Sequence, residues 1–183
     1  MQHPENKPQQ CPKISALVCV KNEEVSLPHV LPKIPKWVDE VLLIDGHSID
    51  DTVGFTRSQF PRVKILTQPG QGKGDAIKFG VKNATGDIII TLDADGATNP
   101  DEILNFINPL LNGYDFAKGS RFLHGRPNMS ARRRFGNWVL FTASNVFAGT
   151  KYTDICSGYN AFWKKAFQKL KLHSDGFDIP HGI

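Results

Sequence analysis

Asp93 and Asp95, one residue apart, close the stretch Asp87-Ile88-Ile89-Ile90-Thr91-Leu92-Asp93-Ala94-Asp95-Gly96. The apolar and β-branched run after Asp87 reads as a strand buried on both faces of a parallel sheet. Its acids then fall at the carboxyl end, where open α/β sheets bind their ligands. Strict strand alternation would turn both carboxylates to one side. Two carboxylates so close repel each other unless a cation lies between them, and their hard oxygens suit Mg2+ or Mn2+. A second reading is a polar turn, with Asp95-Gly96 supplying the turn chemistry. The residues by themselves leave both open.

Other polar residues fall at equivalent places. Asp45 ends a second apolar run and is followed by Gly46-His47-Ser48. A carboxylate there can reach a base or ribose while the glycine lets a ligand approach; a structural Asp in a tight turn is the alternative. Gly70, Gly72 and Gly74 enclose Lys73 just before a predicted helix. Backbone N–H groups and a helix N-terminus can cradle a phosphate there, and a glycine loop without a special role is the competing reading. The spacing is not that of a Walker loop, and no Ser or Thr follows the lysine. His47, His124 and His173 show no metal-ligand spacing, and only His47 falls near the expected cleft.

The elements that must position these residues alternate along the chain. Ile14–Val20, Glu40–Asp45, Val63–Thr67 and the run into Asp93 read as strands. A helix after Asn22-Glu23-Glu24 is kept short or irregular by Pro28, Pro32 and Pro35. A second follows Asp50-Asp51-Thr52, with Asp50 its expected N-cap, and a third follows the Lys73 loop to about Asn83. Asn99-Pro100-Asp101-Glu102 opens the next, with a capping Asn, a proline at the first position and acids at the positive dipole end. Such alternation predicts an α/β fold: a Rossmann-like, mostly parallel central sheet with helices on both faces.

Composition bounds the rest. The chain has 183 residues, 40% hydrophobic and 22% charged, which suits one folded domain over 13–183 after a polar, proline-rich tail at 1–12. No apolar run approaches the roughly 20 residues of a membrane span, and the tail lacks the apolar region of a signal peptide. Cys11, Cys19 and Cys156 lack metal-ligand spacing and fit a reducing cytoplasm. The net charge of +4 is unevenly spread: Phe116 to Thr153 contains no Asp or Glu but holds Lys118, Arg121, Arg126, Arg132, Arg133, Arg134 and Lys151. That basic surface would face an anion such as a diphosphate, a lipid phosphate, a membrane or nucleic acid; a solvated basic helix start is the alternative for the Arg132–Arg134 group.

In combination, these stretches resemble family-2 glycosyltransferases of the GT-A fold, from Ile14 to Phe177. Val20-Lys21-Asn22-Glu23-Glu24 looks like the family's opening motif, in which an Asn-Glu pair follows a residue lining the nucleotide pocket. Ile44-Asp45 through Asp50-Asp51-Thr52 looks like its acidic segment, and Gly72-Lys73-Gly74-Asp75-Ala76 like its glycine-and-lysine loop. Ala84-Thr85-Gly86-Asp87 through Asp95 resembles the stretch that ends in the DxD motif. The resemblance implies a nucleotide diphosphate sugar as donor, bound by Val20, Asn22, Glu23, Asp45, Lys73, Asp93 and Asp95, with Mg2+ or Mn2+ on Asp93 and Asp95.

The later half narrows the likeness. Ala117-Lys118-Gly119-Ser120-Arg121-Phe122, the arginine cluster and Asp154-Ile155-Cys156-Ser157-Gly158-Tyr159-Asn160-Ala161-Phe162 resemble the dolichyl-phosphate mannose synthase-like branch. That implies a polyprenyl phosphate acceptor, held by Arg121, Arg132, Arg133 and Arg134. Phe135, Trp138, Val139, Phe141, Val146 and Phe147 give a helix flank suited either to a membrane interface or to packing on the sheet. The expected place is the cytoplasm, peripheral at the inner face of the membrane, with no nucleic acid as partner.

The sequence departs from the pattern in three places. Ala97 stands where many members have a metal-assisting glutamine, and Gly46 replaces the second acid of the usual pair. The sequence stops soon after Gly176-Phe177-Asp178, with Pro180 and His181 where further acids are expected, so a carboxyl-terminal part is expected to be missing.

The implied reaction is sugar transfer with inversion, in which a cation at Asp93 and Asp95 neutralises the leaving diphosphate. Asp95 would have a direct part in catalysis, and Asp154 would position the acceptor or act as base, a capping or turn role being its alternative. Two rival classes remain. A sugar-nucleotide pyrophosphorylase or other nucleotidyltransferase usually places its glycine-rich loop after the first strand, where this chain has Lys21-Asn22-Glu23-Glu24. A non-catalytic basic binding module would leave Asp45, Asp93 and Asp95 unexplained, and its affinity would fall steeply with salt but survive chelation.

Overall fold

A computed structural model describes residues 12–96, 98–119 and 158–169. In chain order the elements are β1 (Ile14–Val20), α1 (Leu27–Val30) continued by a 3-10 turn (Leu31–Lys33), β2 (Glu40–Asp45), α2 (Thr52–Gln59), β3 (Lys64–Thr67) and α3 (Gly72–Asn83). There follow β4 (Ile88–Asp93), a 3-10 turn (Pro100–Glu102), α4 (Ile103–Leu111), β5 (Phe116–Lys118), β6 (Asn160–Trp163) and α5 (Lys164–Lys169). They build one sheet of order β3-β2-β1-β4-β6-β5. The first four strands run parallel, while β6 is antiparallel to both β4 and β5. The chain therefore moves outward from β1 in both directions, and ligands bind at the carboxyl ends beside such a reversal.

Alternation along the buried strands sorts their side chains onto two faces. Ala16, Val18, Leu43, Ile90 and Leu92 join Leu27, Ile103 and Phe106 in one core layer, under α1 and α4. Leu17, Leu42, Ile44 and Ile89 meet Ala76, Ile77 and Val81 of α3 in the other. Close packing of α3 depends on Gly80, where a β-carbon would stand 2.9 Å from Leu17 Cδ1 and 3.2 Å from Ile44 Cγ1. Prolines near the starts of α1 and of its 3-10 continuation hold that segment to short turns, as the sequence predicts.

The amino-terminal end of the sheet is pinned by acids on backbone donors. Asp39 accepts from Ile14 N–H at 2.8 Å and Asp87 from Lys13 N–H at 3.0 Å. Glu40 Oε2 accepts from Ser15 Oγ at 2.6 Å, Thr85 N–H at 2.8 Å and Thr85 Oγ1 at 3.0 Å. Ser15 Oγ in turn accepts from Gly86 N–H at 2.9 Å.

Three expectations need correction. The helix after the glycine loop begins at Gly72, so Lys73 and Gly74 belong to its first turn rather than to a loop before it. Asp51, not Asp50, precedes the first residue of α2, although it is Asp50 Oδ1 that accepts the Thr52 N–H at 3.1 Å. The capping function and the boundary position thus fall on neighbouring acids. Finally, β4 ends at Asp93 and residues 94–96 form a bend, so strand alternation does not carry through to Asp95.

Candidate active site

Two loops at the carboxyl edge of the sheet are laced together. Asn22, after β1, has a positive φ of 58°, and His47, after β2, one of 63°. Asn22 N–H donates to Ser48 Oγ at 2.9 Å, and Asn22 Oδ1 accepts from Ile49 N–H at 2.8 Å. Glu23 N–H donates to Thr52 Oγ1 at 2.9 Å, and Glu24 Oε2 accepts from Asp51 N–H at 3.1 Å. Asn22 and Glu24 therefore use side-chain oxygens to hold the opposing loop. Buried Asp45 folds back on its own turn, Oδ1 accepting from Ser48 N–H at 3.0 Å. His47 Nε2 lies 3.0 Å from Gly70 O and joins this pair of loops to the turn before α3.

The second half of the site stands on the α3 face. Asp93 is in register with Cys19 of β1 and shares its face with Thr91 and Ile89. Lys73, in the first turn of α3, forms an ion pair with Asp93 Oδ1. Both side chains are about one quarter exposed, at 24% and 26%, so the pair is accessible from the carboxyl edge. Asp95 is exposed in the bend that follows. Asp45, in register with Val20, lies on the opposite face at the same edge, so a ligand touching both acids would lie across the strand ends.

Gly158, at the entry to β6, abuts the Lys73–Asp93 pair. A β-carbon there would overlap Asp93 Oδ2 and Lys73 Nζ and come within 2.5 Å of Asp93 Cγ. Gly158 O accepts from Thr91 Oγ1 at 2.8 Å, and Thr91 Oγ1 accepts from Asn160 Nδ2 at 3.2 Å. Gly119 N–H donates to Tyr159 O at 2.8 Å, which brings these two residues together across the sheet edge. Arg121, Arg132, Arg133, Arg134 and Asp154 lie outside the described residues. Neither Thr91 nor Gly158 was singled out from the sequence. A hydroxyl inside an otherwise apolar, doubly buried strand requires a partner, and that signal points to Thr91.

The residues at the end of β4 suit a hard divalent cation. Asp93 and Asp95 offer carboxylate oxygens, and Mg2+ is commonly held by one or two carboxylates with water and substrate phosphates completing its shell. Among the described residues no three His, Cys, Asp or Glu side chains converge into a metal-holding group. An ion held by these carboxylates would take its remaining ligands from water and phosphate. Contact with Lys73 puts one positive charge on Asp93 already, so a cation binding there must displace or share that ammonium.

Two neighbouring groups are unsuited to acid–base work. Burial pushes the Cys19 thiol up to about 12, Lys73 opposing the shift and Asp93 adding to it. Burial likewise pushes the Tyr159 phenol above its ordinary value, reinforced by Glu102 and Asp101. Tyr159 is packed instead, stacked on Phe106 with ring centroids 4.0 Å apart and donating to Asn99 O at 3.1 Å.

Residues 15–171 match the sequence pattern of glycosyl transferase family 2, and the chain belongs to that family. It is 36% identical over 141 residues to glycosyltransferase AglJ of Haloferax volcanii, covering 76% of this chain and 46% of the relative. It is 27% identical over 185 residues to a dolichol-phosphate mannosyltransferase of Pyrococcus furiosus, covering 91% and 51%. The second of these carries the likeness to the dolichyl-phosphate mannose synthase-like branch. The fold is that of glucosyl-3-phosphoglycerate synthase from Mycobacterium tuberculosis, solved in complex with Mn2+, UDP-glucose and phosphoglyceric acid. The TM-score is 0.72 at 19% identity, over 96% of this chain and 68% of that one. The architecture is the GT-A fold. The chain spans about half the length of these two relatives.

Proposed function

We propose that the chain transfers a sugar from a nucleoside diphosphate sugar to a polyprenyl phosphate, inverting the anomeric carbon. One observation carries this reading: the Lys73–Asp93 ion pair lies, about one quarter exposed, at the carboxyl edge of the parallel strands, with Gly158 against it. An ammonium suited to a phosphate thus adjoins a carboxylate suited to a cation. The relative named a dolichol-phosphate mannosyltransferase supports the acceptor class, and the Mn2+ and UDP-glucose complex of the structural neighbour supports the donor class and the ion.

In this reading Asp45 takes the nucleoside, with Val20, Asn22 and Glu23 shaping its pocket. Asp93 and Asp95 hold Mg2+ or Mn2+, which when bound supplies positive charge to the leaving diphosphate. Lys73 turns its ammonium from Asp93 toward the phosphates and shares that charge. Arg121 and Arg132 to Arg134 hold the acceptor phosphate, which is already ionised at neutral pH and needs alignment more than deprotonation. Its oxygen bonds to the anomeric carbon as the bond to the diphosphate oxygen breaks. Asp154 orients the acceptor. Among the described residues no helix is long and apolar enough to cross a membrane; access to a lipid acceptor would come from the inner membrane surface, through the basic segment.

Calorimetric titration with UDP, GDP and their sugar conjugates, in Mn2+ and then in EDTA, tests the donor half. Binding of one nucleotide only with metal is expected. Equal binding in EDTA, or none by a folded sample, overturns the reading. For the acceptor half, Arg132→Ala with Arg133→Ala should weaken transfer to a polyprenyl phosphate about tenfold or more while leaving nucleotide affinity unchanged. Equal loss in both assays would refute the division into two halves.

A further inference from the structure

We infer that Gly158, anchored by Thr91, is a positioning residue that sets where the Asp93 carboxylate and the Lys73 ammonium stand. The inference rests on the donor-site reading above for its functional meaning, but its geometry is independent of any ligand. Asp93 closes β4 and is followed by a bend, so strand pairing beyond it does not fix its side chain. Lys73 approaches from the α3 side, and the backbone of Gly158 approaches from the β6 side so closely that a β-carbon there would require both side-chain ends to move. Carboxylate and ammonium occupy the space that any other residue at position 158 would fill.

The approach is held by a row of polar contacts across the sheet. Lys118 Nζ donates to Asn160 Oδ1 at 3.3 Å, Asn160 Nδ2 donates to Thr91 Oγ1 at 3.2 Å, and Thr91 Oγ1 donates to Gly158 O at 2.8 Å. Thr91 is 2% exposed, so its single hydroxyl proton is committed to the Gly158 carbonyl in a place that water does not reach. Lys118, Asn160 and Thr91 stand side by side in the strand register. The row ties Gly158 to β4 two residues before Asp93. It also brings Lys118 and Gly158, distant in the chain, to the same row.

The test compares Gly158→Ala, Thr91→Val and Thr91→Ser, with Asp93→Asn as reference. The first readout is ligand-free NMR of the Lys73 ammonium and the Asp93 carboxyl carbon. Gly158→Ala and Thr91→Val should shift both signals toward those of separated side chains, and Thr91→Ser should leave them as in the parent. The second is Mn2+-dependent affinity for UDP and GDP: a loss of about tenfold or more for Gly158→Ala, a smaller loss for Thr91→Val, and retention by Thr91→Ser. A folded Gly158→Ala with parental signals overturns the inference. So does a Thr91→Val protein that melts earlier but keeps both signals and affinity, which marks a purely structural hydroxyl. If Gly158→Ala does not fold, the Thr91 pair decides alone. Displaced signals with no nucleotide binding even by the parent would refute the donor-site reading while upholding the positioning role.

Discussion

The two ends of the central sheet both carry acidic residues, and their partners differ in kind. At the amino-terminal end Asp39 and Asp87 accept backbone N–H groups, and Glu40 gathers three donors from Ser15 and Thr85 on one oxygen. At the carboxyl-terminal end Asp93 meets the flexible ammonium of Lys73, and Asp95 lies exposed in a bend. A carboxylate held by backbone N–H groups and short hydroxyl side chains is committed to holding strands in register. One whose partner is a side chain with four rotatable bonds can exchange that partner for a ligand. Asp45 is intermediate: it lies at the carboxyl edge but is buried and accepts a backbone N–H from Ser48 at 3.0 Å.

The largest expected effect comes from removing the exchangeable carboxylate. Asp93→Asn should lower Mn2+-dependent nucleotide affinity about 100-fold while shifting the melting temperature little, as calorimetry and thermal unfolding would record. A drop in stability without loss of binding would place Asp93 with the structural acids and erase the contrast. Lys73→Met should cut nucleotide affinity about tenfold, the size of one charge-assisted contact. The same substitution should tighten Mn2+ binding measured without nucleotide, because the competing ammonium is gone. Weaker Mn2+ binding in that variant would show that Lys73 supports the metal-holding geometry rather than occupying its place.

Much of this arrangement is legible in the sequence, for reasons tied to particular residues. β1, β2 and β4 are largely buried apolar runs, and the limits Ile14–Val20 and Glu40–Asp45 agree with the sequence reading. β3 is shorter than its apolar pattern suggests and begins at Lys64, because Val63 N–H closes a turn onto Phe60 O at 2.9 Å. The start of α3 was hidden because its glycines read as loop. The Gly70 N–H is taken by Asp75 Oδ2 at 2.9 Å, a contact five residues long that no local preference announces. β6 pairs with β5 across the segment 120–157, and an antiparallel partner at such separation leaves no periodic signal. The positions of Asp45 and Asp93 at strand ends are legible because each closes an apolar run. Thr91 and Gly158 are not, because their roles arise only where β6 returns to β4.

The smallest effect, and the cleanest control, belongs to the other end of the sheet. Burial raises the Glu40 carboxyl, but hydrogen bonds from Ser15 and Thr85, with Lys64 nearby, outweigh it and hold the group below its ordinary range. A group depressed in the folded state contributes stability that is present above its unfolded value and is lost as pH falls through the folded one. All three donors reach Oε2, so the oxygen of a glutamine can keep them as weaker, neutral contacts. Glu40→Gln should therefore cost about 1 kcal/mol in urea unfolding at pH 7. As pH falls through the depressed folded value the difference from the parent should shrink toward zero, because the parent's Glu40 is then neutral too. Mn2+-dependent nucleotide affinity should not move at any pH at which both proteins are folded. If it does, the amino-terminal network reaches across the strands into the site, and the two ends of the sheet form one coupled unit.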